Sequence, residues 1–359
     1  MSLRRSTAGR AAGLILLVGL GLALGAEAAV RFQPAHPPLA DDTGALVEVR
    51  VDERIFTLFA ALNAAGYDRQ GFEEAYHPAR QITRAYLAER RLPSLTRLRW
   101  RLNVAQPYSD VVWCLHFGEA PQFKRAVGGW HLPALPALLF FGLDDAVRAF
   151  YREADLGSVW AQVQPYYQAE AEALRAAAPP ALQSTLDYLR LRTLPIDRIV
   201  IIPNLLDAHW SGYGPEIGGV GYVIVGPTRQ PPSLDLVQHE ALHSLLGPLV
   251  NADAGSVDRA QAERLQTALR PGLTGSYGTW ESLLEESAVR AVGVRLTEPE
   301  WRANALLNDE AQGLGLVRPL AEALAAYEAQ AGSIEDYLPQ WLAVLNELDP
   351  ASLGLTAPE

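Results

Sequence analysis

The run Leu234-Asp235-Leu236-Val237-Gln238-His239-Glu240-Ala241-Leu242-His243-Ser244-Leu245-Leu246 leaves this chain few ways to fold. Pro231-Pro232 stops whatever precedes it, Ser233 suits the cap of a helix, and Gly247-Pro248 closes the far end. Between these signals Leu234, Ala241, Leu242 and Leu245, with Leu249 beyond, recur at helical spacing and form one apolar face. His239 and His243 stand four apart, so both imidazoles leave the opposite face in the same direction. Any fold must bury one side of this helix and leave the other at a cleft.

The chain contains only 7 His, so a pair at this spacing rarely arises by chance. Two neutral imidazoles on one helix face can hold a single Zn2+. Glu240 lies about 100° round the helix from His239, within reach of a water on such a metal. A catalytic zinc takes a third protein ligand and keeps one position open. The best source is Thr279–Ala291, where Trp280, Leu283, Leu284, Ser287, Ala288 and Ala291 line one helical stripe. Glu281, Glu285 and Glu286 flank it. Glu286 shares its face with the small or weakly polar Ser282, Val289 and Gly293, a poor setting for a solvated charge. Glu286 is therefore favoured as the ligand, with Glu285 as the alternative.

HExxH on one helix with a Glu on a later helix resembles the gluzincin branch of the zincin metallopeptidases. The resemblance covers roughly residues 195–295. It implies His239, His243 and Glu286 as zinc ligands, Glu240 as general base, and a peptide or protein substrate. Tyr277, nine residues before Glu286, is similar in position to an upstream catalytic Tyr of that branch. His209, Tyr213 and Arg290 are further candidates for stabilising an oxyanion. Leu246 and Leu249 stand where metzincins carry Gly and His, so that branch is not matched. Two features depart from the gluzincin pattern: the gap from His243 to Glu286 is long, and Arg290 replaces a helper Asp. The run Glu286-Ser287-Ala288-Val289-Arg290-Ala291 also resembles an ExxVRA pattern in secreted bacterial HExxH proteins of uncharacterised function. The competing expectation is a zincin-shaped envelope or binding protein without catalysis; a third is a hydrolase of non-peptide amides.

Around the motif the periodicity predicts an α+β fold, mostly helical, with a small mixed sheet beside the HExxH helix. Strands are expected at 46–51, 196–203 and 219–226. Helices are expected at 53–65 (closed by Gly66), 71–91, 108–117, 143–154, 158–178, 181–192, 258–269, 279–295, 298–308, 316–330 and 333–347. The zincin resemblance makes strand 219–226 the one that runs along the cleft to pair with an extended peptide, its glycines admitting another backbone. Residues 44–350 are expected to form one zincin-like domain, which could divide into a helical part, 44–194, and a catalytic part, 195–350.

Arg4, Arg5 and Arg10 precede an apolar run from Ala11 to Ala26, and Ala26-Glu27-Ala28 offers a cleavage site. Residues 1–28 thus read as a signal peptide, 29–43 as a Pro-rich linker and 351–359 as a tail. The apolar run is short for a bilayer span, so export to the periplasm or beyond is expected, with an uncleaved anchor as the alternative. The formal charge is −11, and no basic cluster stands out against it, which argues against nucleic acid as a partner. The single Cys, Cys114, sits in the apolar Trp113-Cys114-Leu115 and reads as a buried thiol. His77, His116 and His131 read as core or cap residues.

Overall fold

A strand with apolar residues on both faces needs cover on both sides. Arg198–Pro203 is such a strand: Ile199 and Ile201 enter one core, Val200 and Ile202 the other. The computed structural model describes residues 46–68, 76–124, 142–227, 233–273 and 277–353. It places this strand, β2, between β1 (Val47–Val49) and β5 (Val220–Val225), both parallel to it. Two short strands, β3 (Gly212–Tyr213) and β4 (Glu216–Ile217), run antiparallel along the far side of β5. The sheet is mixed and small, and the expected α+β class holds.

One face of the sheet is covered by α1 (Glu53–Ala65), α4 (Tyr108–Leu115), α5 (Leu143–Glu153) and the first half of α6 (Leu156–Leu189). α2 (Pro78–Ala88) and α3 (Pro93–Arg99) pack outside α1. The other face carries α7 (Leu234–Leu245), the HExxH helix, and behind it α9 (Arg259–Leu269), α10 (Trp280–Leu296), α12 (Val317–Glu328) and α13 (Ile334–Ala343). α8 (Gly247–Ala252) follows α7 directly, and α11 (Arg302–Ala311) packs on α10 and α12. α1 matches its predicted bounds because both ends carry chemical stops. The Asp52 carboxylate accepts the Arg54 N–H at 2.9 Å, and Gly66 takes φ +111°.

Three expectations change. The helices predicted at 158–178 and 181–192 are one helix, α6, which runs through Pro179-Pro180. Each proline removes a backbone bond, yet Leu174, Ala178, Leu182, Thr185 and Leu189 stay in phase and fully buried across them. That stripe, packed against the sheet and α7, outweighs the local cost. Second, α3 forms where no helix is expected, started by Pro93 at its first position. Third, β5 is not an edge strand. β3 and β4 cover the side on which a peptide was expected to pair. Its Gly221 instead lets α7 approach: a Cβ there would lie 2.9 Å from the Ser244 side chain.

The predicted signal peptide, linker, Pro231-Pro232, His131 and the end of the tail lie outside the described residues. Among the described residues no helix is long and apolar enough to cross a membrane.

Candidate metal centre

α7 presents its histidines because its other face is committed to the core. Val237, Ala241, Leu242 and Leu245 are fully buried, while His239 and His243 are only partly so. Ser233 precedes the helix, although its side chain makes no cap hydrogen bond. The two imidazoles stand with ring centroids 5.0 Å apart and planes at 85°.

α10 delivers the carboxylates. A reciprocal capping box fixes its start: Ser282 N–H donates to Thr279 Oγ1, and Thr279 N–H to Ser282 Oγ. Leu283, Leu284, Ala288 and Ala291 then bury one side, which turns Glu286 inward at 7% exposure. Its Oε1 lies 3.8 Å from His239 Nε2, and its Oε2 lies 3.4 Å from His243 Nε2. The ligand atoms of His239, His243 and Glu286 all fall within 4.8 Å of one another, so the three could hold one metal ion. Two imidazole nitrogens and one carboxylate oxygen are a donor set that suits zinc.

Glu285 occupies a different place. Its Oε1 is 2.9 Å from His243 Nδ1, on the side of the ring away from Glu286, and its Oε2 accepts from Asn251 Nδ2 at 2.6 Å. Gly247 makes room for it, since a Cβ there would stand 2.7 Å from Glu285 Oε1. This arrangement fixes the His243 ring and leaves Nε2 toward the other donors. Arg290 is held between two carboxylates. Its Nε donates to Glu286 Oε1 at 2.5 Å and its Nη1 to Asp309 Oδ1 at 2.7 Å.

The electrostatics of the metal-free centre follow from crowding. Burial pushes His239 down to about 4 despite Glu286 beside it. Burial acts on His243 in the same direction, but Glu285 and Glu286 outweigh it and push that ring up to about 10. Burial would raise Glu286, yet His243, His239 and Arg290 together hold it well below the usual carboxylate range. Burial pushes Glu240 up to about 7.

Glu240 also has a steric frame that sequence reasoning missed. A Cβ on Gly212 would lie 2.2 Å from Glu240 Oε1, and one on Gly214 would lie 2.4 Å from the Glu240 carbonyl. β3 is thus laid directly on the Glu240 side chain: a side chain at 212 would displace that carboxylate, and one at 214 would meet the backbone of α7. The signal was present as Gly212-Tyr213-Gly214, but nothing in the chain order says which helix it meets.

Of the oxyanion candidates, Tyr277 and Arg290 come to the centre. The Tyr277 phenol lies close to Glu286 and Arg290; burial, then Glu286, raises it. Tyr213 packs on Phe59, ring centroids 5.9 Å apart, and neither it nor His209 contacts the three converging ligand residues in any hydrogen bond or ion pair described for them. Tyr108, at the start of α4, is a residue sequence reasoning did not single out. It is 52% exposed; burial of the rest of its surface, then the nearby Glu285 and Glu240 carboxylates, raise its phenol. His77 and His116 serve locally, His77 Nδ1 capping α2 and His116 Nδ1 meeting the Val112 carbonyl. Cys114 is buried and free.

No family model matches the chain, no curated protein matches it, and no solved structure matches it.

Proposed function

We propose that this chain is a zinc-dependent hydrolase of the zincin type, related in plan to the gluzincins, that cleaves peptide bonds. The observation that carries the reading is the convergence of His239, His243 and Glu286 within 4.8 Å, with Glu240 next to His239 on the same helix. A bound Zn2+ supplies a Lewis acid that polarises a carbonyl and acidifies water. The remaining work belongs to the chain. Glu240, next to His239 on the same helix, takes a proton from the attacking water and returns it to the leaving amine. Glu285 and Asn251 keep Nε2 of His243 facing inward. Arg290 and Tyr277 hold the Glu286 carboxylate, and Tyr277 or Tyr108 supplies an O–H toward the developing oxyanion.

A peptide substrate is supported by the sheet. β3 is the last strand in the order and lies on Glu240, so an extended chain pairing with its outer side would pass the base. The N-terminal Arg–apolar–AxA pattern supports export of the mature chain. In the test, metal is measured in the purified protein alongside hydrolysis of an unstructured protein such as casein. One zinc per chain is expected, retained in Glu240→Gln while hydrolysis is lost. Zinc-loaded wild type and Glu240→Gln with equal hydrolysis would transfer the activity to a contaminant and favour a non-catalytic binding protein. Absence of stoichiometric metal would remove the reading altogether.

A further inference from the structure

The chain carries 41 acidic against 30 basic residues, and sequence reasoning passed over one run that reverses the balance. Between Arg90 and Ser109 stand Arg90, Arg91, Arg97, Arg99 and Arg101, with no Asp or Glu among them. The run contains α3 and the turn into α4. Arg91, Arg97, Arg99 and Arg101 are exposed. Trp100, in their midst, is 89% exposed, the most of any large apolar side chain among the described residues, and Val104 follows at 37%. Tryptophan is usually well buried, and its display between guanidinium groups is not what a solvated surface needs.

The display is built into the backbone. Leu98 and Leu102, on either side of Trp100, are buried in the core. Arg101 and Leu102 N–H both donate to the Leu98 carbonyl, at 2.8 and 2.9 Å. The Asn103 N–H donates to the buried Asp110 carboxylate at 2.7 Å, and the Gln106 N–H closes back on Asn103. With 98 and 102 pinned inward, 100 and 104 are held outward.

We propose that this run is a docking surface for an anionic lipid bilayer. Trp100 and Val104 enter the boundary between headgroups and acyl chains, and Arg97 and Arg99 meet the headgroup phosphates. Indole rings favour that boundary, and arginine stems lie along it while the guanidinium stays in the polar layer. Basic side chains near an anionic leaflet each add to the attraction. Nucleic acid fits less well, because Val104 beside Trp100 gains an apolar layer to enter only in a bilayer, not along a phosphate backbone. The inference does not depend on metal or catalysis.

Vesicle co-sedimentation of the full chain tests it, with Leu16→Glu and Leu17→Glu in every sample to silence the N-terminal apolar run. Vesicles of phosphatidylglycerol mixed into phosphatidylcholine are compared with phosphatidylcholine alone. Binding is expected about tenfold or more tighter to the anionic vesicles. Arg97→Glu/Arg99→Glu should lower that affinity by a similar factor, and high salt should do the same. Trp100→Ser should weaken binding and remove a blue shift of tryptophan emission seen with wild type. These side chains are exposed, so thermal melts of the variants should match wild type. Equal binding to both vesicle types, variants that bind as wild type does, or a wild-type dimer abolished by Trp100→Ser would each overturn the proposal.

Discussion

Glu285 and Glu286 are neighbours in sequence, and the helix sends them to different nitrogens of one imidazole. Removing Glu286 takes away a donor, whereas removing Glu285 frees a ring. Glu285→Ala is therefore expected to weaken zinc affinity by roughly 10–100-fold in a chelator competition, and Glu286→Ala to abolish stoichiometric binding. Gly212 gives a second test at this scale. The Cβ of Gly212→Ala would stand 2.2 Å from Glu240 Oε1, which forces the base aside. Hydrolysis should fall by about 100-fold with zinc content unchanged, since misplacement of about 1 Å costs that much. Asp110 supplies a test without metal. Its carboxyl is 1% exposed, and burial pushes it from 3.8 up to about 7, with the Asn103 N–H opposing. The fold accepts the neutral form, so this contribution is fully present below the unfolded value and is lost as the pH rises through about 7. Asp110→Asn keeps an acceptor for Asn103 and should melt roughly 3 °C or more above wild type at pH 8. The gain should shrink toward pH 4. A constant difference across that range would contradict the assignment.

At the scale of elements, the motif helix, α1 and α10 were legible because each carries both an apolar period and a chemical stop. α10 is delimited by Thr279 and Ser282, and Glu286 stood out as an acid among small residues, which is what an inward position looks like in one dimension. α6 was misread because Pro179-Pro180 is a strong local signal, while the stripe that overrides it is a tertiary fact. β3 and β4 were invisible: strands of two residues have no period. They exist because β5 offers a free ladder and because Asp207 anchors the loop before them. That carboxylate is fully buried and accepts from Tyr67, Asn204 Nδ2 and the Ala208 N–H. Arg80, itself fully buried, donates to the Asp207 carbonyl at 3.1 Å and to Asn63 Oδ1 at 2.9 Å. Asp207→Ala strands the Tyr67 hydroxyl, Asn204 Nδ2 and the Ala208 N–H, while Arg80 keeps its backbone acceptor, and should cost about 1–3 kcal/mol in denaturant unfolding. Because β3 rests on Glu240, the same change should reduce hydrolysis under conditions where the variant is still folded.

Across the whole molecule, α6 contributes Val163 and Tyr167 to one core and Leu174, Leu182 and Leu189 to the other. Its far end is tied down as well. Arg190 donates from Nε to the Tyr327 hydroxyl at 2.9 Å and from Nη2 to the Tyr327 carbonyl at 3.0 Å. Two cores that share a sheet and one continuous helix should melt together. Val163→Ala and Leu182→Ala are each expected to lower one common calorimetric transition rather than separate two, at about 1–4 kcal/mol apiece. Two resolved transitions would mean that α6 yields between them.

The parallel pairing of β1 with β2 also sets an order in time. Val47 meets Ile199 and Val49 meets Ile201 in register, and the core beneath α1 needs Val200, Ile202, Val220 and Ile224 as well. A chain emerging from its N-terminus first makes α1 through α6 before the floor on which they rest has been synthesised. Such a chain stays unfinished, and therefore threadable, until the ribosome has passed residue 225.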